Sequence, residues 1–157
     1  MGERKILLDA FKDEDLRLRR LVDDCPCGLD DRRTDEECLS LKATLGHIAY
    51  WDDFTVEFFA CKLDPASNPP PPPLDFETVS ANAIAAIETL TFNEVRDLYT
   101  AANEAILGFL HDRWNELSVY DRHQFWVPLQ HRRQHRLMLE KTLVALKAVL
   151  QQGEGEA

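Results

Sequence analysis

Five consecutive prolines, Pro69–Pro73, restrict what this chain can fold into more than any other feature. Proline has no backbone N–H and its ring clashes with the preceding turn, so the run cannot be helix. It is expected to take up polyproline II, which rises ~3.1 Å per residue and spans a good part of a small bundle's length. The stretch "DPASNPPPPPLD" (64–75) therefore reads as a stiff connector within one domain. Docking of an SH3-like partner is the alternative reading of such a run.

Apolar residues recur at helical spacing on both sides of it. Residues 3–24 form one amphipathic helix, followed by a surface loop in "CPCGLDDRRTDEEC". Residues 39–63 restart the periodicity, with Ser40 as N-cap and Leu41, Leu45, Ile48, Thr55 and Phe59 on one face. Residues 76–90 read as a shorter helix. Thr91 and Glu94 make a capping box for a helix reaching about Leu110, with Val95, Leu98, Ala102, Ala105, Ile106 and Phe109 as its stripe. Residues 111–127 are irregular or partly helical, and Pro128 suits the first turn of a last helix ending near Gln151. Period-two alternation, Asn-Gly hairpins and internal repeats are lacking. The expected fold class is all-α: an up-and-down four-helix bundle with a long Pro-rich connection and one short extra helix. One domain is expected over residues 1–150, with 151–157 a flexible tail.

Composition narrows the class further. The chain has 157 residues, 45% of them hydrophobic, enough for a single packed core. It carries 28 acidic against 18 basic residues, a net charge of −10. The only basic cluster is "RRQHR" (132–136), so neither nucleic acid nor an anionic membrane is an expected partner. No apolar run reaches the ~18–20 residues a bilayer span needs, and "MGERKILLDAFKDEDL" lacks a secretory pattern, so a cytoplasmic location is expected. Cys25 and Cys27 form C-x-C rather than the C-x2-C of zinc ribbons. Together with Cys38 and Cys61 they read as free thiols of a reducing compartment. A cysteine zinc site, or a disulfide from Cys25 or Cys27 to Cys38, is the competing reading.

The histidines carry the chemistry. "VPLQHRRQHRLMLEKTL" (127–143) sets His131 and His135 four apart on one helix. At about 100° per residue they share a sector with Met138, Thr142, Ala145, Leu146 and Val149, leaving Arg132, Arg136 and Glu140 on the solvent side. Two imidazoles on a core stripe cost desolvation unless their nitrogens are satisfied, and a divalent metal bridging i and i+4 would do so. H-x3-H is also common by chance. His47 lies on the flank of the second helix's apolar arc beside Trp51. Singly it reads as a satisfied core histidine; with the other two it suggests a site between facing helices. His47 falls about six residues into its helix, roughly 9 Å by rise, and the pair lies within the first two turns of theirs. If these helices run parallel, as in an up-down-up-down bundle, all three rings sit at one level; antiparallel helices would mismatch them. His111 and His123 read as surface residues. Trp51, Phe54, Phe58 and Trp126 could wall an apolar pocket, with plain core packing the alternative for each.

Two of these segments, "SLKATLGHIAYWDD" (40–53) and "LQHRRQHRLML" (129–139), are similar to the histidine-bearing helices of the DinB/YfiT-like superfamily of metalloenzymes. Residues 79–110 resemble that family's middle region, so the resemblance spans essentially the whole chain. It implies a four-helix bundle with a long connection. It also implies a three-histidine site of His47, His131 and His135 for one divalent ion, usually nickel or zinc. Members include transferases and isomerases using bacillithiol, mycothiol or glutathione as co-substrate, hydrolases of reactive electrophiles, and stress-induced proteins. Asp52 stands where relatives often carry an acid, implying a residue that orients a ligand histidine or acts as a base; a solvated helix-face acid is the alternative. Leu39 stands where the family often has Trp, a departure that touches packing.

The expected function is thus metal-dependent thiol transfer or hydrolysis on a small electrophilic substrate, linked to stress or detoxification. A non-catalytic helical protein forming homo-oligomers is the alternative, and a homodimer is compatible with both.

Overall fold

A computed structural model describes residues 2–25, 28–29, 31, 39–68 and 75–154. The proline run, Cys27, Cys38 and residues 155–157 lie outside the described residues, so the connector, docking and C-x-C readings do too. Among the described residues all regular secondary structure is helical. Six α-helices occur: α1 (Glu3–Asp24), α2 (Leu41–Leu63), α3 (Phe76–Glu88), α4 (Phe92–Asp112), α5 (Val119–Gln124) and α6 (Trp126–Glu154), with one 3-10 turn at Trp114–Glu116. No helix among them is long and apolar enough to cross a membrane.

Side-chain caps set the starts of α2, α3 and α4. The Ser40 hydroxyl accepts from Ala43 N, and Asp75 accepts from Glu77 N at the head of α3. Thr91 and Glu94 form the full capping box, the Thr91 N–H donating to Glu94 Oε2 at 2.7 Å. Such caps satisfy backbone donors that have no partner in the first turn. The 111–127 segment resolves into the 3-10 turn and α5, and Pro128 lies in the first turn of α6, as expected. Residues 151–154, read from sequence as the start of the tail, continue α6 instead.

Helices α1, α2, α4 and α6 enclose two apolar clusters. One is built around Phe11, Phe59, Ile106, Leu110 and Phe125. The other holds Leu18, Leu45, Ile48, Tyr99 and Leu139. Each fully buried large apolar side chain contributes about 1.5–3 kcal/mol of transfer free energy.

Side-chain pairs define the helix directions. Along α2 and α6, Phe59 stacks on Phe125, Asp52 pairs with Arg132, His47 meets His135, and Leu45 shares a cluster with Leu139. Numbers rise on one helix as they fall on the other, so α2 and α6 are antiparallel. Arg132 over Phe11 and Arg136 on Glu14 make α1 and α6 parallel. Tyr99 on Asp15 and Arg4 on the His111 carbonyl make α1 and α4 antiparallel. The long helices therefore run up, down, down, up, which corrects the up-down-up-down expectation. Consecutive long helices that run the same way, α2 and α4, need a connection that returns along their length. Residues 64–91, which include α3, lie between them in sequence. Helix α3 seats on α2 where Gly46 leaves room: a Cβ there would lie 2.4 Å from Ile87 Cδ1.

The buried faces also differ from the expected ones. On α6 they are Pro128, Leu129, Arg132, Arg136, Leu139, Thr142, Leu143 and Leu146; of the expected sector Thr142 and Leu146 are buried, while Met138, Ala145 and Val149 are exposed. The arginines assigned to solvent point into the core. The buried stripe is centred on the arginines and leucines, and the histidines lie at its edge. On α4, Leu98 and Ala105 face outward, and Tyr99, Asn103 and Leu110 are buried in addition to most of the expected stripe.

Candidate metal centre

The three histidines meet. His131 Nε2 lies 3.1 Å from His47 Nε2 and 3.0 Å from His135 Nε2. The three rings form one cluster with a potential ligand atom from each. This happens although α2 and α6 are antiparallel, the arrangement expected to separate them. The expectation counted depth from each helix's own start. In an antiparallel pair both depths are counted from the shared end, where Phe59 stacks on Phe125. His47 lies about twelve residues from Phe59 and His135 about ten from Phe125, so roughly 18 and 15 Å by rise.

The donor set fits a cation. A neutral imidazole nitrogen offers either one proton or one lone pair. His131 Nε2 therefore cannot satisfy both neighbours by hydrogen bonding, whereas one cation can take all three lone pairs. Two nitrogens about 2.0–2.1 Å from a tetrahedral zinc ion stand roughly 3.3 Å apart, close to the separations here. Coordination through Nε2 leaves the proton on Nδ1, which then needs an acceptor. Nδ1 of His47 and of His131 are buried without a hydrogen-bond partner among the described residues.

Electrostatics keeps the rings ready to coordinate. Burial pushes His135 down to about 3, helped by His131 and His47. Burial pushes His131 down to about 4, helped by His47 and by the positive Arg132. His47 is lowered by burial alone. All three are neutral at pH 7, with lone pairs available.

Asp52 is fully buried, which overturns the solvated-acid reading. Its hydrogen bond goes to Arg132 rather than to a histidine: Arg132 Nε donates to Asp52 Oδ2 at 2.8 Å. Arg132 Nη2 lies 2.8 Å from the same oxygen, but without hydrogen-bond geometry. Burial raises the Asp52 carboxyl and the adjacent guanidinium opposes that rise.

A cavity of about 320 Å³ opens beside the rings, lined by His47, Trp51, Thr55, Ser80, Val127, Pro128 and His131. Trp51 meets His47 edge-on and stacks on Phe76, so of the expected aromatic wall Trp51 is the member that lines it. Trp126 packs against the core cluster around Phe125 instead. His111 and His123 are exposed, as expected.

Sequence reasoning missed the buried polar set: Glu14, Asn103, Arg132 and Arg136. A signal existed. Glu14 falls in register with Leu7, Phe11 and Leu18, and Arg132 and Arg136 with Leu129, Leu139 and Leu143, at the three-four spacing of a core stripe.

Comparison with protein-family models, with curated proteins and with solved structures found no match for this chain.

Proposed function

We propose that this chain is a metal-dependent enzyme whose four long helices form a DinB/YfiT-like bundle, with His47, His131 and His135 holding one divalent ion, zinc or nickel. The convergence of three neutral Nε2 atoms carries the reading. Such an ion supplies Lewis-acid chemistry, lowering the pKa of a coordinated water or thiol. Three protein ligands leave a position open, as catalytic zinc sites do.

The chain's own residues define what reaches that position. His47 and His131 line the adjoining cavity, so a substrate there meets the ligand cluster directly. Trp51 and Val127 give it apolar walls, while Thr55, whose hydroxyl donates to the Trp51 carbonyl at 2.8 Å, and Ser80 make its lining partly polar. A small electrophile with an apolar body and one polar group suits these walls. The reaction is thiol transfer to that electrophile, with a low-molecular-weight thiol as co-substrate, or its hydrolysis.

Zinc- or nickel-loaded protein is assayed with small electrophiles, with and without glutathione. The expected result is turnover that His131→Ala reduces at least about a hundredfold. Dependence on the thiol selects transfer, and independence selects hydrolysis. Turnover unchanged in His131→Ala contradicts the proposal.

A further inference from the structure

Each metal-site histidine on α6 is followed at once by a buried arginine: His131 by Arg132, and His135 by Arg136. We infer that these arginines, Arg132 above all, are positioning residues that fix the rotation and register of α6 so that both histidines face His47. The inference rests on the metal-site reading.

Adjacent helix residues point about 100° apart. Anchoring Arg132 and Arg136 in the core therefore directs the preceding histidines to the edge of the stripe, toward α2. A slide of α6 by one residue would move the rings by about 1.5 Å and turn them by about 100°, destroying the convergence of the Nε2 atoms. Leucine and phenylalanine contacts resist such slips weakly, because many apolar arrangements bury similar area. A guanidinium fork does not adapt in this way, because its donors are planar and directional.

Arg132 is held by all three of the other long helices. It is fully buried, with Nε on Asp52 of α2 at 2.8 Å and Nη1 on the Asn103 side-chain oxygen of α4 at 2.7 Å. Its guanidinium carbon sits 4.9 Å from the Phe11 ring of α1 and 5.8 Å from the Tyr99 ring of α4. One side chain of α6 is thus fixed against each of the other three long helices, next in sequence to a ligand histidine. Arg136 repeats the device toward α1, pairing with Glu14 and with Glu140.

Stability alone does not account for this arrangement. Replacing a buried ion pair by well-packed apolar residues is often neutral or stabilising. The pair is therefore assigned to geometry, and the two roles come apart experimentally.

The experiment compares wild type, the double variant Asp52→Leu/Arg132→Met and the single variant Arg132→Lys. Each is checked for helicity and thermal unfolding, then titrated with Zn²⁺ and with Co²⁺, whose visible spectrum reports coordination geometry. The double variant is expected to fold, to bind Zn²⁺ about 10–100-fold more weakly, and to give an altered Co²⁺ spectrum. Arg132→Lys keeps the charge without the planar fork and is expected to fold with the same spectral change. It decides the question if the double variant does not fold. A folded variant with wild-type affinity and spectrum overturns the positioning role while leaving the metal site standing. Wild type that binds neither ion overturns the metal-site reading and this inference with it.

Discussion

At the scale of single residues, the three histidines are unusual in being withdrawn from water and facing one another. In the folded chain His131 and His135 titrate near 4 and 3, against about 6.5 when unfolded. Between those values the unfolded chain binds more protons than the folded one, so stability of the metal-free protein falls as pH drops from about 6.5 toward 4. Asp52 acts with the opposite sign over part of this range, because its carboxyl is raised. The informative quantity is therefore the difference between wild type and His135→Gln in metal-free melts at about pH 7 and pH 4.5. Wild type should lose more stability than the variant, by on the order of 1 kcal/mol; equal losses would contradict the half-buried, neutral state of His135. These residues were legible in the sequence because histidine is rare and H-x3-H is a helical spacing. Asp52 was legible as a position but not as a state. Its burial depends on Arg132, eighty residues away, and a single helix's periodicity cannot reveal such a partner.

At the scale of elements, α6 decides the site. Its reading from sequence was rotated, because the histidines were placed at the centre of the buried face and the arginines were given to solvent by residue type. A buried arginine is exceptional unless paired, and its partners come from three other helices. Helix starts were easier to read: Ser40, Thr91 and Glu94 act within three residues of themselves, so local sequence contains the whole interaction. The ion pair yields a prediction about stability distinct from its proposed role in metal geometry. Arg132→Met alone leaves the Asp52 carboxylate buried without its cation and should cost about 3–5 kcal/mol in urea unfolding. Adding Asp52→Leu should restore most of that loss. A single variant costing under about 1 kcal/mol would show that Asp52 is hydrated or protonated rather than ion-paired.

Across the whole molecule, the helix directions are fixed by side-chain pairs between the long helices. Helical periodicity established an all-helical chain, but periodicity carries no direction, and the up-down-down-up arrangement emerges only from contacts between helices. Spin labels at the exposed positions Phe58, Val127 and Val144 test it. With α2 and α6 antiparallel, label 58 lies beside 127 and far from 144, the two distances differing by roughly 20 Å. A parallel pair would reverse that order. This arrangement brings a histidine of α2 to two histidines of α6 across the core, at the meeting point where we propose that a metal is held. The most direct test is metal content by mass spectrometry, together with Zn²⁺ titration, on protein prepared without a polyhistidine tag, beside a His47→Ala/His131→Ala/His135→Ala variant. About one tightly bound divalent ion per chain is expected in wild type and none in the folded variant. Wild type that neither contains nor takes up Zn²⁺ or Ni²⁺, or a variant that keeps the ion, would contradict it.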